Sequence, residues 1–534
     1  MARVAVEMER GSWTIPTFRG APHLDLPPLT YWLAAGCHRL ERLPPELAYR
    51  LPSTLAAMLG LWLTFVLGRA LFDRRIGFLA VGIQASTYLY FRKAGWLDDD
   101  LLFAVSSQLA LSGFVLATQK NTRRFWPVLA WIGLAAGALA KSAVLALGLV
   151  FGTLLFYFFF GGGMALVQRG FSRVRSLPGM AIFVLLTAPW YAMAIGWEGG
   201  ALFDSHVVAQ HFGRLMGPAP DSGPPYYYIL ALLFGFLPWS LFLPLGVLHG
   251  KDRLGRDGER LAFFWVVFTL VALTVASSKR PEYALFVWPA LSLLVAAALF
   301  ETRESFTVWE DFLRRGVFVV VPYLLMVPAL GVLLCVAAYF AGYPEIDERL
   351  QALLADRKAA LAMLGIAAAA AVVSLIVAWR VHKLLLQKEI PRAAFELVCA
   401  TIFLFFMSSF FYGGANSLLS SREVLGKFSA QMPPGAPLAV YGQGRPEVLY
   451  YLGNARSIDH FSYLDAFDAE DPIRKRLEAY LGQPREVFLI STEAELEKLK
   501  EHFPTLSRSL RVAGRAPHGL EGEYVLVSNR PDRS

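Results

Sequence analysis

Residues 125–161 read FWPVLAWIGLAAGALAKSAVLALGLVFGTLLFYFFFG, and Lys141 is the one charged residue among them. A helix needs about 20 predominantly apolar residues to cross a bilayer. The stretch is therefore long enough for two crossings, with Lys141 between them. A lysine at that position either ends two helices at the membrane surface or reaches into a polar cavity. The stretch predicts a helical protein that crosses the membrane repeatedly.

The composition of the whole chain supports the same class. Of its 534 residues, 56% are hydrophobic and 17% are charged, which is typical of polytopic membrane proteins. The formal net charge is +8, but the basic residues fall in short loops between apolar runs, so nucleic acid is not predicted as a partner. Cys37, Cys335 and Cys399 are too few and too dispersed for a disulfide framework or a metal site.

Twelve apolar runs are long enough to cross, and alternate loops carry the basic residues. That alternation makes the basic loops cytoplasmic. Loops 95–100, 197–225, 278–282 and 341–359 are then extracytoplasmic, the last as one amphipathic helix. Residues 1–50 would form the first outer loop, so the topology predicts one further span upstream of Met1. The runs lie near 52–71, 76–94, 101–118, 125–141, 143–161, 178–196, 226–248, 261–277, 283–300, 316–340, 360–379 and 393–412.

The character of the chain changes after Asn416. We predict a transmembrane domain over residues 1–416 and a soluble α/β domain over 417–534, on the extracytoplasmic side. Alternating patterns with Pro and Gly at the turns predict its elements. The helices are expected at 417–431 and 468–481, and the strands at Leu438–Tyr441, Val487–Ile490 and Tyr524–Val527. The fold class is an α-helical polytopic membrane protein with a small C-terminal soluble α/β domain.

Three consecutive carboxylates, Asp98, Asp99 and Asp100, stand where two apolar runs meet. A charge inside the bilayer is costly, so this triplet must lie at a membrane surface or face a polar cavity. One interpretation is a hydrated turn between helices. The other is a catalytic site, because a fixed carboxylate can take a proton from an incoming hydroxyl. Mutual repulsion should favour protonation of at least one of the three.

Two outer loops carry groups suited to an anion. His211 and Arg214 are three residues apart, so on a helix they would share a face that suits a phosphate ester. Lys279 and Arg280 place two cations on the outer surface, where a lipid phosphate is the natural partner. Each group also has a simpler interpretation as ordinary surface charge. A metal site at His206 and His211 is weakly supported, because the spacing is not i,i+4 and no third ligand is obvious.

Several short motifs, taken in order, resemble the bacterial polytopic glycosyltransferases related to protein O-mannosyltransferases and to the lipid A aminoarabinose transferase, within the C-type superfamily. The similarity covers nearly the whole chain. The motifs are Asp25–Trp32, Arg50-Leu51-Pro52-Ser53, Leu97-Asp98, Ala140-Lys141-Ser142, Gln210–Arg214, Tyr226-Tyr227-Tyr228, Gly235–Ser240 and Ser278–Tyr283.

The resemblance implies an enzyme that takes a sugar from a polyprenyl-phosphate carrier and passes it to an acceptor on the outer face. It implies that Asp98 is the acid of the second outer loop, with Asp99 and Asp100 as alternatives. Two features depart from the family: Leu26 stands where a lysine is usual, and the first-loop acid would lie upstream of Met1. The residues implied to bind the carrier or the acceptor are Asp25, Tyr31, Arg50, Lys141, His211, Arg214, Lys279 and Tyr283.

The predicted function is therefore lipid-linked glycosyl transfer in the bacterial inner membrane, with the active site facing the periplasm. The partners would be a polyprenyl-phosphate-linked sugar, a glycolipid or protein acceptor, and membrane lipids. No cofactor is assigned with certainty, and a divalent cation is left open. A secondary transporter or lipid flippase is the alternative, which would show an internal repeat relating the two halves and paired broken helices at the midplane. The sequence shows no such self-similarity, and its acidic and cationic residues gather at outer loops rather than in mid-span. A structural scaffold would leave the acid triplet unexplained.

Overall fold

The structure is a computed structural model with two compact units. One unit comprises Met1–Val327 and Val372–Phe405, and the other comprises Pro328–Ala371 and Phe406–Ser534. The described residues are 1–11, 13–18, 21–23, 26–39, 43–119, 125–161, 176–198, 222–301, 315–340, 357–419, 421–442, 448, 452, 458–462, 472–502, 510–518 and 522–530.

The first 300 residues contribute short helices at the start and then a series of long apolar ones. A two-stranded hairpin, β1 (Thr17–Phe18) and β2 (Ala21–Pro22), separates the first two helices. The helices are α1 (Ala2–Arg10), α2 (Leu29–His38), α3 (Pro45–Leu71), α4 (Arg74–Ala85), α5 (Tyr88–Ala94), α6 (Asp99–Thr118), α7 (Trp126–Ala140), α8 (Ala143–Gly161), α9 (Ser176–Glu198), α10 (Tyr227–Gly235), α11 (Leu243–Asp252), α12 (Asp257–Val275) and α13 (Trp288–Phe300). Two 3-10 helices, Trp239–Phe242 and Pro281–Val287, precede α11 and α13.

Three more long helices follow: α14 (Val317–Phe340), α15 (Arg357–Leu386) and α16 (Ile390–Leu419). Within the described ranges, nine helices are long and apolar enough to cross a membrane, or up to ten if one bent pair is a single span. The chain is thus a multi-pass membrane protein, as predicted. The predicted outer helix at 341–359 falls mainly on residues outside the described ranges.

Three predicted spans need correction. The run 125–141 forms only the short apolar helix α7. The run 226–248 is not one straight helix, because α10 and the segment Trp239–Asp252 are bent by 119°. Pro238 lies at this bend and has no N–H to continue a helix. The run 76–94 is divided into α4 and α5 at Ser86 and Thr87.

Side-chain hydrogen bonds explain the break between α4 and α5. The Ser86 hydroxyl donates to the Gly82 carbonyl over 2.6 Å, and the Thr87 hydroxyl donates to the Gln84 carbonyl over 2.8 Å. Such local bonds compete with the helix for its backbone groups. Two buried indole groups also donate hydrogen bonds to these hydroxyl oxygens. Trp239 Nε1 donates to Ser86 Oγ at 2.8 Å, and Trp288 Nε1 donates to Thr87 Oγ1 at 3.0 Å.

We predict that Trp288→Phe destabilises the fold more than the same change at Trp265. Both indoles are fully buried, but the Trp265 N–H has no hydrogen-bond partner among the described residues. Only Trp288→Phe therefore removes a hydrogen bond, whose net contribution is about 1 kcal/mol. Unfolding of both variants in detergent, followed by circular dichroism, measures the difference. Equal stability losses would show that the Trp288–Thr87 bond does not support the break.

Helices α6 and α7 approach so closely that their backbones touch. A Cβ atom added at Gly133 would lie 2.7 Å from the Ala110 nitrogen and 2.9 Å from the Ser106 carbonyl oxygen. At Gly113, a Cβ would lie 2.8 Å from the Cβ of Ala130. Small residues permit this close packing in membrane helices. The close contact holds α7, which ends just before Lys141, against α6.

Charged side chains also gather at the C-terminal end of α13. Glu301 follows α13, and its carboxylate pairs with Arg253 at 2.9 Å. His249 lies between Glu259 and Glu301, at 3.8 Å and 3.9 Å. The loop that contains Arg253 is among those predicted to be cytoplasmic. This group therefore lies at the end of the 281–300 span opposite to loop 278–282.

The C-terminal part contains a five-stranded mixed sheet in the order β4-β3-β5-β7-β6. Strand β3 runs parallel to β4 and β5, whereas β7 is antiparallel to β5 and β6. The strands are β3 (Leu438–Gly442), β4 (Ile458–Ser462), β5 (Phe488–Thr492), β6 (Arg511–His518) and β7 (Gly522–Ser528), and the helices are α17 (Ser421–Gln431), α18 (Pro472–Leu481) and α19 (Glu493–His502).

Both faces of this sheet are covered. Leu438 and Val440 pack with Phe428 of α17 on one face, and Ala439 packs with Leu477 of α18 on the other. Alternate residues of one strand thus enter opposite cores. The predicted α/β fold of this part is confirmed, whereas its bounds, 417–534, and its extracytoplasmic side stay predictions. Strands β4 and β6 and helix α19 were not predicted, because β4 and β6 carry polar, Gly and Pro residues in place of apolar runs.

Candidate active site

Asp98 immediately precedes α6 and caps its N-terminus. Its backbone is extended, and its Oδ1 accepts a hydrogen bond from the Leu101 N–H at 2.8 Å, the geometry of an N-terminal cap. The Asp98 N–H in turn donates to Ser53 Oγ of α3 at 3.1 Å. A carboxylate at this position is also favoured by the positive end of the helix dipole. The start of α6 therefore places Asp99 and Asp100 in its first turn.

Lys141 lies at the end of α7 and turns its ammonium group toward that first turn. Its Nζ is 3.1 Å from Asp99 Oδ2 and donates a hydrogen bond to Asp100 Oδ1. The same Nζ lies 4.8 Å from the ring centre of Tyr283, close enough for a cation–π contact. The Lys141 side chain is only 10% exposed and the two carboxylates 9%. Buried charges of this kind are tolerated only when they are paired.

A second lysine, Lys93, connects Asp98, the remaining carboxylate of the triplet, to the outer loop that precedes α13. Lys93, in the last turn of α5, places its Nζ 2.6 Å from Asp98 Oδ2 and 3.1 Å from Glu282 Oε1. Glu282 is the neighbour of Tyr283 in the chain. The two lysines thus join consecutive carboxylates to consecutive residues of loop 278–283. We call this group, Asp98, Asp99, Asp100, Glu282, Lys93 and Lys141, the acid–lysine cluster.

The environment of Asp98 makes it a stronger base than an ordinary aspartate. Burial raises the pKa of Asp98, and the neighbouring charge of Asp100 raises it further. The Lys93 ammonium and the Leu101 N–H oppose both effects without cancelling them. A carboxylate whose pKa is raised holds a transferred proton more tightly. Asp98 is therefore chemically suited to accept a proton.

The cluster contains four residues that the sequence suggested, Asp98, Asp99, Asp100 and Lys141, and a fifth, Tyr283, lies against Lys141. Lys93, Glu282 and Ser53 were not predicted. Their sequence signals were available but slight, since Lys93 precedes the acid triplet by five residues and Glu282 adjoins Tyr283.

Of the remaining six predicted residues, three belong to the described part of the chain and three do not. Lys279 is buried and donates to the carbonyls of Thr274 and Ala276 at 2.8 and 2.7 Å, so it caps the end of α12. Tyr31 is 1% exposed and packs with Val4 and Met8 of α1. Arg50 lies on the exposed face of α3, whereas Asp25, His211 and Arg214 lie outside the described residues.

A metal centre has no support in the part of the chain that the structure describes. No group of three or more His, Cys, Asp or Glu residues there is arranged to hold a metal ion. His206 and His211 both lie outside that part.

Known proteins are similar to this chain in sequence and in fold. Residues 25–192 match the family described as dolichyl-phosphate-mannose-protein mannosyltransferase. The undecaprenyl phosphate-alpha-4-amino-4-deoxy-L-arabinose arabinosyl transferase 1 of Pseudomonas fluorescens is 27% identical over 311 residues, which cover 56% of this chain and 54% of that one. Transferase 2 of Proteus mirabilis is 27% identical over 54% of this chain and 51% of its own. The chain spans about half the length of these curated relatives.

The crystal structure of ArnT from Cupriavidus metallidurans bound to undecaprenyl phosphate superimposes with a TM-score of 0.75, covering 99% of this chain and 92% of that one. The chain has the fold of that structure. The apo crystal structure of the same transferase gives an equal TM-score at 18% identity. With the family match and the relatives, this confirms the resemblance to the C-type polytopic glycosyltransferases that the motifs indicated.

Proposed function

We propose that the chain is an integral-membrane glycosyltransferase that moves a sugar from a polyprenyl-phosphate donor to an acceptor. The acid–lysine cluster is the observation that carries the proposal, because it holds three buried carboxylates and two ammonium groups at one end of the spans. The named relatives transfer aminoarabinose from undecaprenyl phosphate. A pentose of that kind is the proposed sugar, and a lipid A-like glycolipid, a protein or another surface glycan is the proposed acceptor.

The reaction is a single displacement at the anomeric carbon. A carboxylate, Asp98 in this proposal with Asp99 and Asp100 as alternatives, removes the proton of the acceptor hydroxyl. The acceptor oxygen forms its bond to the anomeric carbon as the bond to the phosphate oxygen breaks. The polyprenyl phosphate leaves with the bonding electrons, and the configuration at that carbon is inverted. Cations that screen the growing charge assist departure, a role we propose for Lys141, Arg214 and Lys279.

The remaining predicted residues are proposed to shape the substrate cavity. Tyr283 would lie beside Lys141 against the sugar or the phosphate, in keeping with its ring contact. The other proposed contacts are Asp25, Tyr31, Arg50 and His211. The positive-inside rule supports an outward-facing cluster, since loop 95–100 carries no basic residue, whereas the loops before and after it contain Arg74 and Arg75, and Arg123 and Arg124. The site and the C-terminal domain are therefore proposed to face the periplasm.

Three single variants test the assignment: Asp98→Asn, Asp99→Asn and Asp100→Asn. Each keeps the side-chain volume and removes a negative charge. We expect Asp98→Asn to lose transfer by about 100-fold or more, as is typical when a catalytic base is removed. The measurement is the rate at which purified full-length protein in lipid transfers a labelled sugar from undecaprenyl phosphate. Full transfer by all three variants would discard the site.

A further inference from the structure

Lys93 is unusual among the charged groups of the site because it serves two acids on two different elements. Its Nζ lies 2.6 Å from Asp98 and 3.1 Å from Glu282. Its side chain is 15% exposed, and those of the two acids are 10% and 21% exposed. Asp98 is the N-terminal cap of α6, whereas Glu282 belongs to the 3-10 helix before α13. The Lys93 ammonium group is therefore shared between Asp98, the proposed base, and a second carboxylate, Glu282, in a largely buried site.

We infer that Lys93 is a positioning residue that, divided between Asp98 and Glu282, sets how readily Asp98 accepts the proton of the acceptor hydroxyl. The inference rests on the proposed function and adds a control element to it. Lys93 has no need to touch the substrate, since its effect reaches the reaction through Asp98. Glu282 acts in the opposite sense, because it draws the ammonium group away from Asp98 and adds a negative charge nearby.

The physical argument depends on the charges that surround Asp98. An opposite charge within about 4 to 6 Å favours the ionised form of a carboxylate, and a like charge disfavours it. Lys93 is the direct ion-pair partner of Asp98 among the described residues, because Lys141 is engaged with Asp99 and Asp100. The charged and titratable groups of the described elements packed around Asp98 are Lys93 of α5, Asp99 and Asp100 of α6, Lys141 after α7, Glu282 and Tyr283 before α13, and the α-amino group of Met1, which interacts with Asp99.

Two variants should therefore move the acidic limb of the pH–rate profile in opposite directions. Lys93→Met removes the cation, so the pKa of Asp98 rises further and the limb moves to higher pH, by about 1 pH unit or more. Glu282→Gln removes a competing anion, so the pKa of Asp98 falls and the limb moves to lower pH. The profile of kcat/KM is the quantity to measure, because it reports the free enzyme. Lys93→Arg keeps the charge and should restore the wild-type limb.

The chain offers a matched pair of controls in the C-terminal domain. Lys500 and Glu497 form an exposed ion pair at 2.6 Å. Lys500→Met and Glu497→Gln repeat the two substitutions without touching the site and should leave the profile in place. A limb that stays unmoved in both Lys93→Met and Glu282→Gln, or that moves the same way in both, overturns the inference.

A second readout keeps this inference separable from the proposed function. Infrared difference spectroscopy of the full-length protein follows the carboxyl band of Asp98 through a pH titration, and Asp98→Asn identifies that band. No substrate is needed. If the wild type transfers no sugar, the proposed function fails. The direction of the band's shift in Lys93→Met and Glu282→Gln then decides the inference independently.

Discussion

Lys141→Met is expected to abolish sugar transfer and to destabilise the membrane unit. The change leaves Asp99 and Asp100 buried in the first turn of α6 without the ammonium that pairs with both. Removing one partner of a buried ion pair typically costs about 3 to 5 kcal/mol. Displacing the carboxylates from their working geometry should lower transfer by about 100-fold or more. Thermal unfolding in detergent and the transfer rate measure the two effects.

Two controls separate the charge from the shape of Lys141. Lys141→Arg keeps the positive charge and should retain more of the stability than Lys141→Met. In an Asp100→Asn background, Lys141→Met should cost less than it does in the wild type, because one of the two carboxylates is already neutral. Such a double-mutant cycle isolates the pair. Additive losses would contradict the pairing that the structure shows.

Gly133→Val is expected to separate α6 from α7 and thereby to disrupt the cluster from a distance. The first atom of the new side chain would lie 2.7 Å from the Ala110 nitrogen and 2.9 Å from the Ser106 carbonyl oxygen, both backbone atoms of α6. Overpacking of a close contact commonly costs about 1 to 3 kcal/mol. A shift of α7 would also carry Lys141 away from Asp99 and Asp100. Transfer should therefore fall together with the unfolding temperature.

Gly148→Val is the matched control for this change. Gly148 lies in α8, and a Cβ atom added there meets nothing within 4 Å. The same side chain should be accommodated at Gly148 with little loss of stability or transfer. If Gly133→Val and Gly148→Val behave alike, the close approach of α6 and α7 does not hold the site together.

The membrane spans were predictable where length and hydropathy suffice, as in α3, α6 and α8. Such signals cannot reveal a break inside an apolar run. At the division of 76–94, Ser86 and Thr87 accept hydrogen bonds from Trp239 and Trp288, which lie far along the chain. Likewise, the 119° bend after α10 involves a turn whose geometry hydropathy does not encode.

The site was predictable in part for a similar reason. Charges that are costly in a bilayer stand out in an apolar sequence, so Asp98–Asp100 and Lys141 could be identified from their position alone. Lys93 and Glu282 do not stand out, because each lies at the end of an apolar run where charges are ordinary. Only the packing of loop 278–283 against the start of α6 brings Glu282 to Lys93. That long-range contact leaves no local pattern.

The most direct test of glycosyl transfer follows the label of a sugar carried on undecaprenyl phosphate. Purified full-length protein in lipid vesicles is incubated with this donor and a lipid A acceptor, and the fractions are separated over time. We predict that the label moves to the acceptor while unlabelled undecaprenyl phosphate accumulates in equal amount. A label that stays on its carrier, while the carrier itself crosses between leaflets, would contradict the account and indicate a flippase.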